Sequence, residues 1–243
     1  SASPWTLPPL FPPPPPPPPV GLDVPLAVSS LRECTRACFD VDSTVITEEG
    51  IDVLAASLGK GPAVSDWTSK AMNGGVKFED ALKARLDIIR PSRKDIERCL
   101  EEHPFEFTKG MPELVGALQE KGVDVWLVSG GFRLMIEPIA ASLNIPPSNI
   151  LANTILFDSS GSYAGFDPSE PTSRDGGKPA ALAQIAESRG QAKTVMFGDG
   201  ATDAQAKPPA DAFVGYGGVQ ERESVRGKAD WYVWEWGEVE EVV

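Results

Sequence analysis

From about residue 36 onward, short apolar runs that end in Asp or Ser-Gly turns alternate with segments whose apolar residues recur at helical spacing. This pattern predicts strands at residues 37–41, 123–129, 194–197, 212–214 and 231–233. It predicts helices at residues 48–58, 77–89, 93–102, 112–121, 134–143 and 178–189. Strands that alternate with helices predict an α/β fold in which a parallel sheet is covered on both faces. Three tryptophans near the end are expected to pack at the edge of that sheet: Trp231, Trp234 and Trp236.

The first two predicted strands are separated by about eighty residues that read almost entirely as helix, more than one crossover connection requires. The excess predicts a helical cap at residues 49–108, inserted into a core made of residues 31–48 and 109–243. A second interruption, at residues 151–166, contains a turn-rich tetrad at 158–161 and predicts a hairpin.

Residues 1–30 have a different composition, with eight consecutive prolines at 12–19. Such a run favours extended polyproline II, so we expect it to lie outside the packed core. We expect a disordered leader or tether, with a ligand for a polyproline-binding module as the alternative. The chain begins with Ser1, which suggests processing or truncation, and the leader lacks the Arg-rich amphipathic pattern of a transit peptide.

Charge and hydropathy narrow the range of partners. The net charge of −13 repels polyanions, so we expect no nucleic-acid partner. No apolar run approaches the roughly 20 residues that span a bilayer, so we expect no membrane insertion.

The cysteines and the single histidine limit the chemistry. Cys34, Cys38 and Cys99 form no CxxC pair and no even set, so we expect buried thiols in a reducing compartment. His103 alone cannot build a multi-histidine metal site, a histidine phosphatase pair or a serine triad. Carboxylates and lysine must therefore carry any catalysis.

Polar residues follow three predicted strands at the point where each leaves the sheet. The segments are FDVDST with Asp40 and Asp42, VSGGF with Ser129 and Gly130, and FGDGATD with Asp199 and Asp203. In an open α/β sheet, ligands bind at the carboxyl ends of the strands. We therefore expect these residues to converge at one edge of the sheet.

These residue types suit transfer of a phosphoryl group. Asp40 can attack phosphorus to form an acyl phosphate, and Asp42 can protonate the leaving oxygen and then deprotonate water. Clustered carboxylates without histidine or thiolate favour Mg²⁺. Ser129, the Gly130 amide and Lys178 can donate to the phosphoryl oxygens. Each motif alone is weak evidence, whereas the ordered set is specific.

The ordered set DVDST, VSGG, GGK and GDGATD resembles the four motifs of the haloacid dehalogenase superfamily, and in particular its phosphoserine phosphatase family, over residues 36–236. The resemblance implies a Rossmann-like core with an inserted helical cap. It implies Asp40 as nucleophile, Asp42 as acid and base, and Mg²⁺ held by Asp40, Asp199 and the Asp42 carbonyl, with Asp203 nearby. It also implies phosphate binding by three residues: Ser129, Gly130 and Lys178.

The resemblance assigns a substrate pocket as well. Glu49 would bind an ammonium group, Arg85 a carboxylate, and Met72, Phe78 and Thr202 would line the pocket. From spacing alone, Glu49 and Arg85 read as solvated helix-face charges, and Met72 and Phe78 as core residues. Only the family resemblance favours the pocket.

The function expected from the resemblance is Mg²⁺-dependent hydrolysis of L-phosphoserine to L-serine and phosphate, the last step of phosphorylated serine biosynthesis. One alternative is a phosphatase or phosphotransferase of the same superfamily acting on another small phosphate ester. Another is a receiver-like signalling module, although receivers are about half this length and lack an insertion after the first strand. Similarity to plant-type enzymes implies a plastid location, with the cytoplasm as the alternative, and leaves room for a homodimer.

Overall fold

The computed structural model describes residues 20–72 and 76–243, without the side chains of residues 68–72. Its strands are β1 Arg36–Phe39, β2 Asp124–Phe132, β3 Ile150–Asn153, β4 Ile155–Phe157, β5 Tyr163–Phe166, β6 Thr194–Gly198, β7 Ala212–Tyr216 and β8 Trp231–Val233. Six of them form one parallel sheet in the order β3-β2-β1-β6-β7-β8, and β4 pairs with β5 as a separate antiparallel ribbon. The predicted parallel α/β sheet is confirmed.

The helices are α1 Val24–Arg32, α2 Gly50–Ser57, α3 Gly61–Met72, α4 Phe78–Ile89, α5 Arg93–Glu102, α6 Met111–Glu120, α7 Arg133–Ser142, α8 Gly177–Arg189, α9 Ala201–Ala204, α10 Glu223–Arg226 and α11 Gly237–Glu240. Two short 3-10 turns lie at Pro147–Asn149 and Pro171–Ser173. None of the helices in the described part of the chain has the length and apolar character needed to cross a bilayer.

The sheet is buried on both faces because successive strand residues point to opposite sides. In β1, Ala37 and Phe39 join the cluster formed with α1, α6, α7 and α11, whereas Cys38 joins the cluster formed with α8 and α10. Full burial of a side chain as large as that of Phe39 contributes about 1.5–3 kcal/mol to the stability of the fold. The three cysteines are buried free thiols, as predicted.

Helices α2–α5 lie between β1 and α6 and share a third hydrophobic cluster. In α4 the buried positions Leu82, Leu86 and Ile89 follow helical spacing and face this cluster. A capping box between Ser92 and Asp95 begins α5. Phe132, at the end of β2, packs into the same cluster, so the helical region rests on the end of a sheet strand.

Helix α1 corrects the predicted boundary of the leader. Residues 24–30 were expected in a disordered leader, but Asp23 caps a helix there by accepting a hydrogen bond from the Leu26 amide at 3.0 Å. Proline in the first turn favours the helix start, and Ala27 and Leu31 are fully buried against the sheet. The polyproline run at 12–19 lies outside the described residues.

The predicted hairpin at residues 151–166 is correct only in its second part. Residues 150–153 form β3, which pairs parallel with β2 and extends the main sheet. The antiparallel ribbon begins at Ile155. A four-residue strand with no partner nearby in sequence carries too little local pattern to reveal this pairing.

Trp236 also departs from prediction. Instead of packing at the sheet edge, it lies edge-on to Phe39 of β1 and Phe197 of β6, which are central strands, with ring centroids 6.2 Å away in both cases. Trp231, in the edge strand β8, lies where it was predicted.

Candidate active site

Three buried carboxylates meet at the carboxyl ends of β1 and β6. Asp40 follows β1, Asp199 follows β6, and Asp203 lies in α9, and one oxygen of each lies within 4.8 Å of the others. They converge because β1 and β6 are neighbours in register, with Phe39 opposite Phe197. An all-oxygen set of anionic donors suits a hard divalent cation such as Mg²⁺, so the donors present fit the expected metal.

Lys178 brings positive charge into this acidic cluster. It lies in the first turn of α8, and its buried Nζ is 2.8 Å from Asp40 Oδ1 and also contacts Asp203. Burial alone would lower the pKa of Lys178, but the Asp203 and Asp40 carboxylates outweigh it and raise the pKa above its usual value. Lys178 therefore remains an ammonium group that can neutralise a phosphoryl oxygen.

Asp42 lies in a different environment from Asp40. The chain turns at Asp42, and the next residue, Ser43, adopts a left-handed backbone conformation with φ of 54°. The Gly50 amide donates a hydrogen bond to Asp42 Oδ1 at 2.8 Å. The pKa of Asp42 is raised to about 8. The main cause is burial of the carboxyl group away from water, and the negative charges of Glu49 and Asp40 are the next largest causes. A carboxyl group that is protonated near neutral pH can give a proton to a leaving oxygen.

The Ser-Gly-Gly segment at the end of β2 packs tightly against two other parts of the site. Ser129 Oγ accepts a hydrogen bond from the Gly131 amide at 3.0 Å. A Cβ atom at Gly131 would lie 3.0 Å from Asp42 Oδ2, and one at Gly130 would lie 3.0 Å from Phe78 Cζ. Both glycines therefore permit a close approach that a side chain would obstruct.

A cleft of about 430 Å³ opens beside these groups. Four predicted substrate residues line it: Glu49, Phe78, Arg85 and Thr202. It is also lined by Asp40, Asp42, Gly130, Lys178 and Asp199, so the two ends of the predicted site share one cleft. The Met72 side chain, predicted to line the same pocket, lies outside the described residues.

Sequence reasoning missed Arg222. This residue lies in the loop after β7, lines the cleft, forms an ion pair with the Asp199 carboxylate and donates to the Asp199 backbone carbonyl at 3.1 Å. The available signal was topological, since a loop that follows a parallel strand opens at the ligand-binding edge of the sheet. The residue type alone gave no indication that Arg222 reaches the acids.

Comparisons with known proteins agree with this geometry. A family model described as haloacid dehalogenase-like hydrolase matches residues 37–206. The chain is 50% identical over 208 residues to a phosphoserine phosphatase of Rattus norvegicus, covering 84% of this chain and 92% of the relative. It is 50% identical over 204 residues to a chloroplastic phosphoserine phosphatase of Arabidopsis thaliana, covering 83% and 69%.

Similarity extends to solved structures. One described as a phospho-aspartyl intermediate analogue of phosphoserine phosphatase superposes with a TM-score of 0.75 at 25% identity, covering 87% of this chain and 99% of that one. The sequence similarity, the fold and the shared cleft thus all indicate the same family. The chain therefore belongs to the phosphoserine phosphatase family of the haloacid dehalogenase-like hydrolases, which makes it a phosphatase.

Proposed function

We propose that this phosphatase hydrolyses L-phosphoserine to L-serine and phosphate, with the phosphoryl group carried transiently on Asp40. The observation that supports this most strongly is the shared cleft. Asp40, Asp42 and Lys178 line it together with Glu49 and Arg85. Groups suited to a phosphate ester and groups suited to an amino acid thus face the same space. The relatives named phosphoserine phosphatase, at 50% identity, support the same substrate.

At the phosphate end, Asp40 is oriented for attack. Its Oδ1 contacts Lys178 Nζ at 2.8 Å and accepts a hydrogen bond from the Val41 amide at 2.8 Å. In the first step a carboxylate oxygen of Asp40 forms a bond to phosphorus while the bond from phosphorus to the serine oxygen breaks. Asp42 donates its proton to that oxygen, so serine leaves as a neutral alcohol.

The second step releases phosphate. Asp42, now ionised, takes a proton from a water molecule whose oxygen attacks the phosphorus. The bond between phosphorus and Asp40 breaks, which restores both carboxyl groups to their starting states. Ser129 Oγ and the Gly130 amide are proposed to donate to the phosphoryl oxygens during both steps, alongside Lys178.

We propose Mg²⁺ as the cofactor, held by the Asp40 and Asp199 carboxylates and the Asp42 carbonyl, with Asp203 as a supporting group. Bound there, the ion would draw charge from the phosphoryl oxygens and offset their repulsion by the carboxylates. The supporting observation is that the oxygens of Asp40, Asp199 and Asp203 lie within 4.8 Å of one another.

At the amino-acid end, Glu49 and Arg85 are proposed to bind the ammonium and carboxylate groups. Glu49 accepts a hydrogen bond from Ser43 Oγ at 2.8 Å, and Arg85 Nε donates to the Ala81 carbonyl at 3.2 Å. Each charged group is thus oriented by a local hydrogen bond. Phe78 and Thr202 are proposed to line the space between them, with Met72 in the same role.

A panel of phosphate esters tests the proposed substrate. Released phosphate would be measured with L-phosphoserine, L-phosphothreonine and glucose 6-phosphate at matched concentrations. We expect kcat/KM for L-phosphoserine to exceed that for the sugar phosphate by about 100-fold or more, because the sugar offers no partner to the partly buried charges of Glu49 and Arg85. Equal values for the two would contradict the proposal and favour another small phosphate ester.

A plastid location is proposed from the chloroplastic Arabidopsis thaliana relative, with the cytoplasm as the alternative. Imaging a fluorescent fusion to the complete coding sequence in the source cell would distinguish the two. A homodimer stays a prediction, which sedimentation velocity would test.

A further inference from the structure

Trp236 lies beneath both catalytic strand ends although it is remote from them in sequence. The rings of Phe39 and Phe197 stack at 4.3 Å with an interplanar angle of 7°, and Trp236 meets both edge-on at 6.2 Å. Phe39 immediately precedes Asp40, and Phe197 comes two residues before Asp199. The indole, which is fully buried, therefore supports the backbone that carries two members of the acidic cluster.

A line of hydrogen bonds runs from the same indole to one of those acids. Trp236 Nε1 donates to Thr108 Oγ1 at 2.9 Å, and Thr108 Oγ1 donates to the Thr44 carbonyl at 2.7 Å. The hydroxyl of Thr44 then donates to Asp199 Oδ1 at 3.0 Å. All four residues are buried, so water cannot readily replace a lost member.

Thr108 is well placed to fix Thr44. Besides the bond from its hydroxyl, its backbone amide donates to the Val45 carbonyl at 3.0 Å. The side chain of Thr108 can both accept from Trp236 and donate to the Thr44 carbonyl, which valine cannot do. Removing the hydroxyl would leave the buried Trp236 N–H and the Thr44 carbonyl without this partner. Removing the indole N–H would take away the donor that fixes the Thr108 hydroxyl, so either change would let residues 44–45 shift.

We propose that Trp236 and Thr108 are positioning residues that, through Thr44, set the orientation of the Asp199 carboxylate for cation binding. The inference rests on the proposed Mg²⁺ site. Partners that orient a metal ligand from outside the coordination sphere commonly change metal affinity by about 10- to 100-fold. Neither Trp236 nor Thr108 is among the residues that line the cleft, so their contribution is expected in metal affinity before it is expected in substrate binding.

Two conservative substitutions isolate the hydrogen bonds from the packing. Trp236→Phe keeps an aromatic ring but removes the N–H, and Thr108→Val keeps the shape but removes the hydroxyl. Thr108→Ser retains the hydroxyl and is the rescue variant. Trp231→Phe is the matched control, because Trp231 is also buried but its Nε1 has no hydrogen-bond partner among the described residues.

Mg²⁺ would be titrated into each full-length, metal-free protein by isothermal titration calorimetry, well below the Tm measured for that variant. We expect Trp236→Phe and Thr108→Val each to weaken Mg²⁺ binding by about 10-fold. Thr108→Ser and Trp231→Phe should remain within about threefold of the unmodified protein. The KM for L-phosphoserine at saturating Mg²⁺ should stay nearly constant across all four variants.

The possible outcomes distinguish the positioning role of Trp236 and Thr108 from the proposed Mg²⁺ site on which it rests. Unchanged Mg²⁺ affinity in Trp236→Phe and Thr108→Val would overturn the positioning role while leaving the proposed function intact. The same would follow if Trp231→Phe weakened binding as much as Trp236→Phe, since loss of packing alone would then account for the effect. Failure of the unmodified protein to bind Mg²⁺ would contradict the proposed cofactor itself, and with it this inference.

Discussion

The acids at the sheet edge and the charged residues of the helical region are held in place by different forces. Asp40 and Asp199 directly follow adjacent strands whose backbone hydrogen bonds set their separation. Glu49 and Arg85 belong to residues 49–108, where side-chain packing of helices and single local hydrogen bonds set their positions. A β-ladder tolerates little displacement, whereas packed helices can shift by small amounts. We therefore propose that the rigid sheet edge carries the chemistry and that the more adjustable helices carry the selectivity.

The largest loss of activity should follow from substituting Asp40 at the sheet edge. Replacing the proposed attacking carboxylate in Asp40→Asn should reduce kcat for L-phosphoserine by at least about 10⁴-fold, because an amide oxygen is a poor nucleophile. Phosphate release under single-turnover conditions would measure this loss.

A matched control for that variant is Asp87→Asn. Asp87 lies on the exposed face of α4, where it forms an ion pair with Lys83 at 2.6 Å. Exposed pairs of this kind contribute about 0.3–0.5 kcal/mol, so activity should be unchanged. Normal turnover by Asp40→Asn would show that Asp40 is not the nucleophile. It would also contradict the proposal that the sheet edge carries the chemistry.

Metal removal should have the next largest effect. Stripping the protein with EDTA should lower phosphate release by about 100-fold or more, because several kcal/mol of charge stabilisation on the phosphoryl group is lost. Adding back Mg²⁺ should restore the rate. Activity that survived dialysis, with residual metal verified below the protein concentration, would argue against a metal role for Asp40, Asp199 and Asp203.

The helical region should govern selectivity. In Arg85→Ala the carboxylate of the substrate would lose its partner, so KM for L-phosphoserine should rise by about 30-fold or more. Turnover of p-nitrophenyl phosphate, which has no amino-acid carboxylate, should change little. Arg98→Ala is the control, since Arg98 is half exposed and pairs only with Asp95 on its own helix among the described residues. A parallel loss with both substrates would mean that Arg85 serves catalysis in general.

The smallest effect should appear where the two regions touch. In Gly130→Ala the new methyl group would lie 3.0 Å from Phe78 Cζ, so the Phe78 ring, which lines the cleft, would have to move by a few tenths of an ångström. We expect kcat/KM to fall by about threefold to tenfold, in keeping with the sensitivity of catalysis to small displacements.

Gly116→Ala provides the control for this variant. Gly116 lies inside α6, and a Cβ there would meet nothing within 4 Å. Alanine should therefore leave kcat/KM unchanged and raise the free energy of unfolding by up to about 1 kcal/mol, measured by urea denaturation. Equal activity of Gly130→Ala and Gly116→Ala would show that the contact between the two regions does not limit turnover.

Sequence reasoning anticipated which residues line the cleft better than it anticipated the connections within the fold. Asp40, Asp42 and Lys178 belong to short motifs that follow strands or open a helix, so local pattern was sufficient to find them. Helix α1 carried a readable start signal in Asp23 and was still assigned to the leader, because the proline run dominated the composition. Strand β3 has four residues and is defined by its pairing with β2, which local pattern does not contain.

The amino-acid sequence by itself determined which groups are proposed to carry the chemistry and that they follow the strands of a parallel α/β sheet, because residue type and hydrophobic period are local properties. Only the tertiary structure decided that Arg222 pairs with Asp199. The same holds for Trp236, which follows the edge strand β8 in sequence but packs against Phe39 and Phe197 of the central strands. Hydrophobic burial has no direction of its own, so the sequence pattern shows which side chains will be buried but not against which partners.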